Sequence, residues 1–273
     1  MAGDAQSFDS DIFQSAAALF LKKRSVLPIQ TVKGFAAEVV QRIVLTAANA
    51  SVVEDTNIGP QRLEEFCDVL LQPFPAKALA YTAALQAEGV TPQVLRYGYL
   101  AGAARLLGER WDRDEVTFMD VTVATGHLYA LLRAVRSEPH DHHGAPSRIK
   151  SALFASVPGE NHTLGITLAA DTFRDEGWDI DLRIAESHDR LVTHVQTTRP
   201  AVIGLSLSTK ERLSDLIRLV LALRIVVPRA IIGVAPGLDI SDEEIFGLVD
   251  IDIAFRDARH AVTDLERLAR LRG

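Results

Sequence analysis

Beyond residue 148 the sequence changes its period, and that change constrains the fold more than any other feature. Five short apolar runs, Ile149 to Val157, Ile180 to Ile184, Ala201 to Leu207, Ala230 to Val234 and Ile251 to Phe255, alternate with helical patterns at Thr163 to Glu176, His188 to Thr198, Glu211 to Val226, Asp242 to Leu248 and Ala258 to Leu271. Apolar runs of strand length mark strands covered on both faces, and strand-then-helix repetition builds a parallel sheet with crossover helices on either side. Residues 149–273 are therefore expected to form a doubly wound α/β domain on a parallel five-stranded sheet. Ligands of such sheets sit outside the carboxyl ends of the strands, so function is sought in the loops after the five runs.

The preceding half carries no such alternation. From Thr31 the residues Val32, Phe35, Ala36, Val39, Val40 and Ile43 recur at spacings of three and four, which predicts an amphipathic helix. Pro60 can open a second helix with Leu63, Phe66 and Leu70 inward, a third ends at Gly89, and Thr91-Pro92 starts a fourth that reaches about Trp111. Phe118, Val121, Thr125, Leu128 and Leu132 mark a long last helix. Residues 31–137 thus read as a helical bundle. Residues 138–148, polar and with two prolines, read as a linker. Its histidines His140, His142 and His143 are either exposed and idle or a metal site. Residues 1–30 form an N-terminal segment that the bundle pattern leaves unassigned.

Composition narrows the function. With 29 basic against 36 acidic side chains the net charge is −7, which offers no general attraction to a phosphate backbone. Unaided DNA binding would need a local basic patch, and the sequence shows none. The longest apolar candidate for insertion, Leu219 to Val227, contains Arg224 and is about half the roughly 20 residues a spanning helix needs. Asp4, Asp9 and Asp11 stand where a signal peptide would be positive, so the expected location is the cytoplasm, away from any membrane. Cys67 is the single cysteine, which excludes an internal disulfide and a thiolate cage; its place in a helical pattern predicts buried packing.

Neither a glycine-rich dinucleotide fingerprint nor a Walker lysine loop is present. The first strand is followed instead by Pro158-Gly-Glu-Asn-His-Thr-Leu-Gly165, which sets His162 at the strand-to-helix turn, with Glu160 two residues before it, Asn161 between them and Gly165 three after. A neutral imidazole is a good ligand for a transition metal, and a carboxylate at its other nitrogen fixes the tautomer and raises basicity. Gly165 removes a side chain from the first helical turn and lets a ligand approach the backbone. The third run ends Gly204-Leu-Ser-Leu-Ser-Thr209 and the fourth Gly233-Val-Ala-Pro-Gly237. Small and hydroxyl residues therefore gather along one edge, where they either form a deep slot for an elongated tail or pack helices tightly on the sheet. His162 is correspondingly either a ligand or a helix cap.

The Glu160-x-His162-x-x-Gly165 turn, with Ser206 after the third run and Gly233 after the fourth, resembles the flavodoxin-like cobalamin-binding domain of methionine synthase and its relatives. That family carries Asp-x-His-x-x-Gly, Ser-x-Leu and Gly-Gly at these places. The resemblance implies that His162 replaces the cofactor's own benzimidazole as lower axial ligand of cobalt, that Glu160 is its carboxylate neighbour, and that Gly165, Ser206 and Gly233 form the slot for the displaced tail; Asn161 and Ser208, in the same loops, are counted with the site. Glutamate replaces aspartate at Glu160, Ser208 stands where leucine is usual, and Val234 replaces the second glycine, which is expected to narrow the slot.

The helical half is similar to the bundle that covers the upper face of the corrin in methionine synthase and in cobalamin light sensors, with Trp111 matching its roofing tryptophan. The Glu-His pair that follows there is replaced by Val121 and Thr122, which weighs against an ordinary corrinoid methyl carrier. The run Trp111 to Tyr129, with the linker and the histidine turn in this order, resembles the AerR/PpaA family of photosynthesis regulators. That resemblance implies a cobalamin-dependent antirepressor, not an enzyme. It would bind hydroxocobalamin or adenosylcobalamin between its two domains and act on a repressor of the PpsR/CrtJ type, responding to light through loss of the upper group. Related domains are described as haem sensors, so haem is the alternative macrocycle. His127 either faces the corrin, as an upper axial ligand once an alkyl or hydroxo group leaves, or is satisfied on the bundle.

Overall fold

A computed structural model of the chain describes residues 8–48, 58–135, 150–237 and 239–272, which divide at residue 141 into two units. In the C-terminal unit five strands, β1 (Ser151–Ser156), β2 (Asp179–Arg183), β3 (Val202–Leu207), β4 (Ile231–Pro236) and β5 (Ile253–Ala254), alternate with helices α7 (Leu164–Asp175), α8 (His188–Thr198), α9 (Leu213–Val226), α10 (Asp242–Leu248) and α11 (Ala258–Arg272). The sheet order is β2-β1-β3-β4-β5, and every pairing is parallel. The doubly wound reading of the sequence is thereby met. The chain leaves β1 toward one edge of the sheet and β3 toward the other, so a crevice opens between the carboxyl ends of β1 and β3, the topological switch point of this strand order.

The central strands are buried along most of their length because Leu153, Phe154, Ile203, Leu205, Ile232 and Val234 cover both faces. The fifth strand is shorter than its apolar run suggests. Asp252 interrupts that run, and its carboxylate accepts the Ile232 amide at 2.7 Å, so a side chain takes over part of the ladder. The same oxygen receives Nη2 of Arg224 at 2.8 Å, whose Nε and Nη1 donate to the carbonyls of Asp250 and Ala230. Arg224 is fully buried, and this clamp pins α9 to the starts of β4 and β5.

The N-terminal unit is helical: α1 (Ser10–Val26), α2 (Ile29–Ala48), α3 (Pro60–Leu70), α4 (Pro75–Ala87), a π-helical stretch at Val94–Leu100 that runs on as α5 (Ala101–Asp112), and α6 (Phe118–Ala134). The segment before Thr31 supplies a helix of its own. Asp9 caps α1 by accepting from the amides of Asp11 and Ile12, and Phe13, Ala16, Ala17 and Phe20 are buried at helical spacing, with α1 packed along α6. Two alanines in that stripe made the pattern faint in the sequence. Thr117 and Asp120 close a capping box at the start of α6. Cys67 is buried in α3, and burial pushes its thiol up to about 11. The linker with His140, His142 and His143 lies outside the described residues.

Candidate functional site

The turn after β1 begins with Gly159 at φ +80°, a left-handed conformation that suits glycine, and the Glu160 amide closes it on the Val157 carbonyl at 2.9 Å. The chain then doubles back over the Glu160 carboxylate. Oε1 accepts the amides of Asn161 at 2.9 Å and His162 at 3.0 Å and the His162 ring Nδ1 at 3.0 Å, while Oε2 accepts the Ser208 amide at 2.9 Å. Burial pushes this carboxyl up, and the four hydrogen bonds outweigh it and hold it down at about 2. An ionised carboxylate can only accept, so Nδ1 of His162 carries the proton and Nε2 carries the lone pair. The glutamate side chain is 3% exposed and the imidazole 73%. The orienting group is thus fixed inside the loop while the ring stands out from it.

That ring lies on the rim of a cavity of about 610 Å³ at the switch point, within the range of small-molecule sites. Asn161, His162 and Gly165 line it from the first loop, Ser206 and Ser208 from the end of β3, and Gly237 from the end of β4. The Ser206 hydroxyl is buried there and has no hydrogen-bond partner among the described residues. Gly165 faces open space, since a Cβ placed on it would meet nothing within 4 Å. An oriented imidazole at the rim of a cavity lined by Phe154, Phe173 and Phe255 together with Ser206, Ser208 and Asn161 suits a metal ligand next to a small-molecule site.

Glu160, Asn161, His162, Gly165, Ser206 and Ser208 therefore converge as the sequence suggests. Gly233 does not join them. It lies inside β4, where a Cβ would come within 2.5 Å of the Phe255 ring, and it is Phe255 that lines the cavity. Val234 is fully buried and does not reach the slot it was expected to narrow. Phe154, Gly204 and Phe255 are lining residues that the sequence reading did not assign; the apolar runs contain them, but only the strand register shows which of their residues face the loops.

In the N-terminal unit Trp111 is half-buried on the last turn of α5. His127 is fully buried in α6, beside Phe13 at a ring distance of 6.5 Å. Its Nδ1 donates to the Leu70 carbonyl at 2.8 Å, and burial lowers its pKa against the weaker opposing pull of that bond. Nε2 is enclosed and has no partner among the described residues. The placement of His127 as an upper axial ligand is therefore corrected: the ring is sealed inside the helical unit and presents no nitrogen at a surface.

Glutamine at position 160 would turn one oxygen into a donor facing an N–H group. Loss of such an orienting partner typically costs 10–100-fold in metal affinity, so Glu160→Gln is expected to weaken binding of a metal-bearing ligand at His162 by about that factor in a spectral titration.

Comparison with known proteins places this geometry. Residues 150–266 match the family model of the B12 binding domain. A 20.5 kDa protein of the bchF-crtJ intergenic region of Rhodobacter capsulatus is 29% identical over 122 residues, which cover 45% of this chain and 64% of that protein. The match thus spans less than two thirds of the relative's length. Among solved structures, a cobalamin-binding protein from Desulfitobacterium hafniense DCB-2 aligns at a TM-score of 0.40 with 16% identity, over 75% of this chain and 97% of that one. The monomethylamine corrinoid protein of Methanosarcina barkeri aligns at 0.40 with 13% identity, over 77% and 100%. With its strand order, its oriented histidine and the match over residues 150–266, the C-terminal unit belongs to the B12 binding domain family and is a cobalamin-binding domain.

Proposed function

We propose that this chain is a cobalamin-dependent, light-responsive regulator that relieves repression by a PpsR/CrtJ-type repressor of photosynthesis genes. The observation that carries the cofactor half of the reading is the His162 imidazole, held by Glu160 with its free nitrogen outward at the rim of the switch-point cavity. His162 is the lower ligand, Glu160 orients its ring through Nδ1, and Ser206, Ser208, Asn161 and Gly165 form the walls that receive the displaced tail. Bound as adenosylcobalamin, the cofactor would supply a cobalt–carbon bond that light can break; hydroxocobalamin would be the form without that bond. The regulatory half is supported by the likeness to a protein of the bchF-crtJ region and by the run Trp111 to Tyr129. The chain acts on DNA only through the repressor.

A switch of this kind requires the partner to bind the two ligation states differently. The test is the affinity of the cobalamin-loaded chain for a PpsR/CrtJ-type repressor, measured in the dark and after illumination. A 5–150-fold difference is the typical range for a coupled site, and equal affinities would remove the regulator reading while leaving the cofactor. Absorption spectra with hydroxocobalamin, adenosylcobalamin and haem decide the macrocycle. Methyl transfer from the methylated chain to a thiol would instead favour a corrinoid carrier.

A further inference from the structure

The loops after β1 and β3 are fastened to each other twice. Glu160, from the first loop, accepts the Ser208 amide of the second; in return Arg212, from the second, lies against Gly159 of the first. A Cβ placed on Gly159 would stand 2.9 Å from Nη1, 3.0 Å from Cζ and 3.4 Å from Nε of Arg212. Three guanidinium atoms at such similar distances mean that the group meets the glycine with its flat face, and only a residue without a Cβ leaves room for it. Pro158 and Gly159 hold the central positions of a turn closed by the Glu160 amide on the Val157 carbonyl, and proline followed by a glycine at φ +80° is the type II pattern. Arg212 is itself held in place. It ends the single 3-10 turn Lys210–Arg212, its amide donates to the Thr209 carbonyl at 3.2 Å, and its Nη1 donates to the Asp215 carboxylate at 3.2 Å. The side chain is 43% exposed, so water screens its charge and the contact with Gly159 is chiefly one of shape.

From this second fastening, and resting on the cobalamin reading above, we infer that Arg212 is a positioning residue for the lower ligand: its guanidinium bears on the Gly159 turn and so fixes the angle at which His162 meets cobalt. Gly159 is a permissive hinge, and it stands directly before Glu160, whose carboxylate holds the imidazole through Nδ1. A turn free to pivot there would swing carboxylate and ring together. The bonds from the Asn161 and His162 amides lie within the same loop and would move with it. The Ser208 amide tethers one oxygen at one point, which leaves rotation about that point; a flat group on Gly159 supplies a second point and stops the rotation. Arginine suits the task because its plane is rigid and more weakly hydrated than an ammonium. A lysine carries the same charge on one atom and cannot cover the turn. Arg212 is not among the residues lining the cavity, so it acts through the turn and not on the ligand.

The test uses the full chain, first without any corrinoid. Nitrogen NMR spectra of the neutral His162 ring read which of its nitrogens carries the proton. The wild type is expected to show the Nδ1-protonated form almost alone, and Arg212→Ala a mixture of the two forms. Absorption titrations with hydroxocobalamin and with diaquocobinamide, which has no base of its own, should then show imidazole coordination weakened for both by up to roughly tenfold, the lower end of the effect of losing a group that orients a metal ligand. Arg212→Lys, which keeps the charge and most of the stem, should resemble Arg212→Ala, and it serves alone if the alanine variant fails to fold. A wild-type proton position and wild-type titrations in Arg212→Ala, with only thermal stability lowered, would overturn the inference and leave Arg212 a fold contact. Wild-type behaviour of Arg212→Lys would overturn it too, since charge would then suffice. Failure of the wild type to bind either corrinoid would instead overturn the cobalamin reading, while the proton position in the unliganded ring would still decide the role of Arg212.

Discussion

His162→Ala, mixed with hydroxocobalamin, is expected to lose the absorption signature of imidazole-coordinated cobalt, the cofactor keeping its own base as ligand. His162 is the one histidine among the described residues lining the cavity, and Glu160 holds its Nδ1, so no second imidazole of the lining can take over the coordination. The loss in affinity should exceed the roughly 10–100-fold set by removing the orienting carboxylate alone, which places the two variants in a definite order. Acid should imitate the substitution in the wild type, since only the neutral imidazole can coordinate and protons compete with the metal. A wild-type-like spectrum in the alanine variant would show that the ring is merely part of the turn.

The second large effect is on stability. Arg224→Ala leaves the Asp252 carboxylate at the sheet without the guanidinium that faces it at 2.8 Å, and strips the hydrogen bonds that this guanidinium donates to the carbonyls of Asp250 and Ala230. Removing one member of a buried ion pair typically costs about 3–5 kcal/mol, because the remaining charge stays desolvated. Urea unfolding followed by circular dichroism should show that loss. Replacing both partners, as Arg224→Met with Asp252→Leu, should recover only part of it, since the Ile232 amide then loses its acceptor. A loss below about 1 kcal/mol, the scale of an exposed pair, would mean that solvent reaches the clamp.

Much of the C-terminal unit was legible because its signal is periodic. Apolar runs of strand length broken by helical stretches leave few ways to bury both faces, and the strand ends then fall where the turn of Glu160 to Gly165 and the hydroxyls of Ser206 and Ser208 can meet. What the sequence could not give was the orientation of single side chains. Gly233 and Phe255 are separated by 22 positions in the chain, yet the parallel register of β4 and β5 puts the phenyl ring where the glycine was expected to act. His127 shows the same limit on a helix: α6 is buried on nearly all sides, so no polar stripe marks which way the imidazole points. The helix of Ser10 to Val26 escaped because its inward stripe is half alanine, whose small side chains give weak contrast. Glutamate stands at position 160 where the resembled family has aspartate, and its longer arm reaches the Ser208 amide on the far side of the crevice.

That bridge has a kinetic meaning. One carboxylate fastens two separate loops, so the imidazole is held at a set angle before any guest arrives, and little rotational freedom is surrendered when one docks. Capture should then be slowed chiefly by a cobalamin shedding its own base, and a trapped guest should leave slowly because letting go does not loosen its socket.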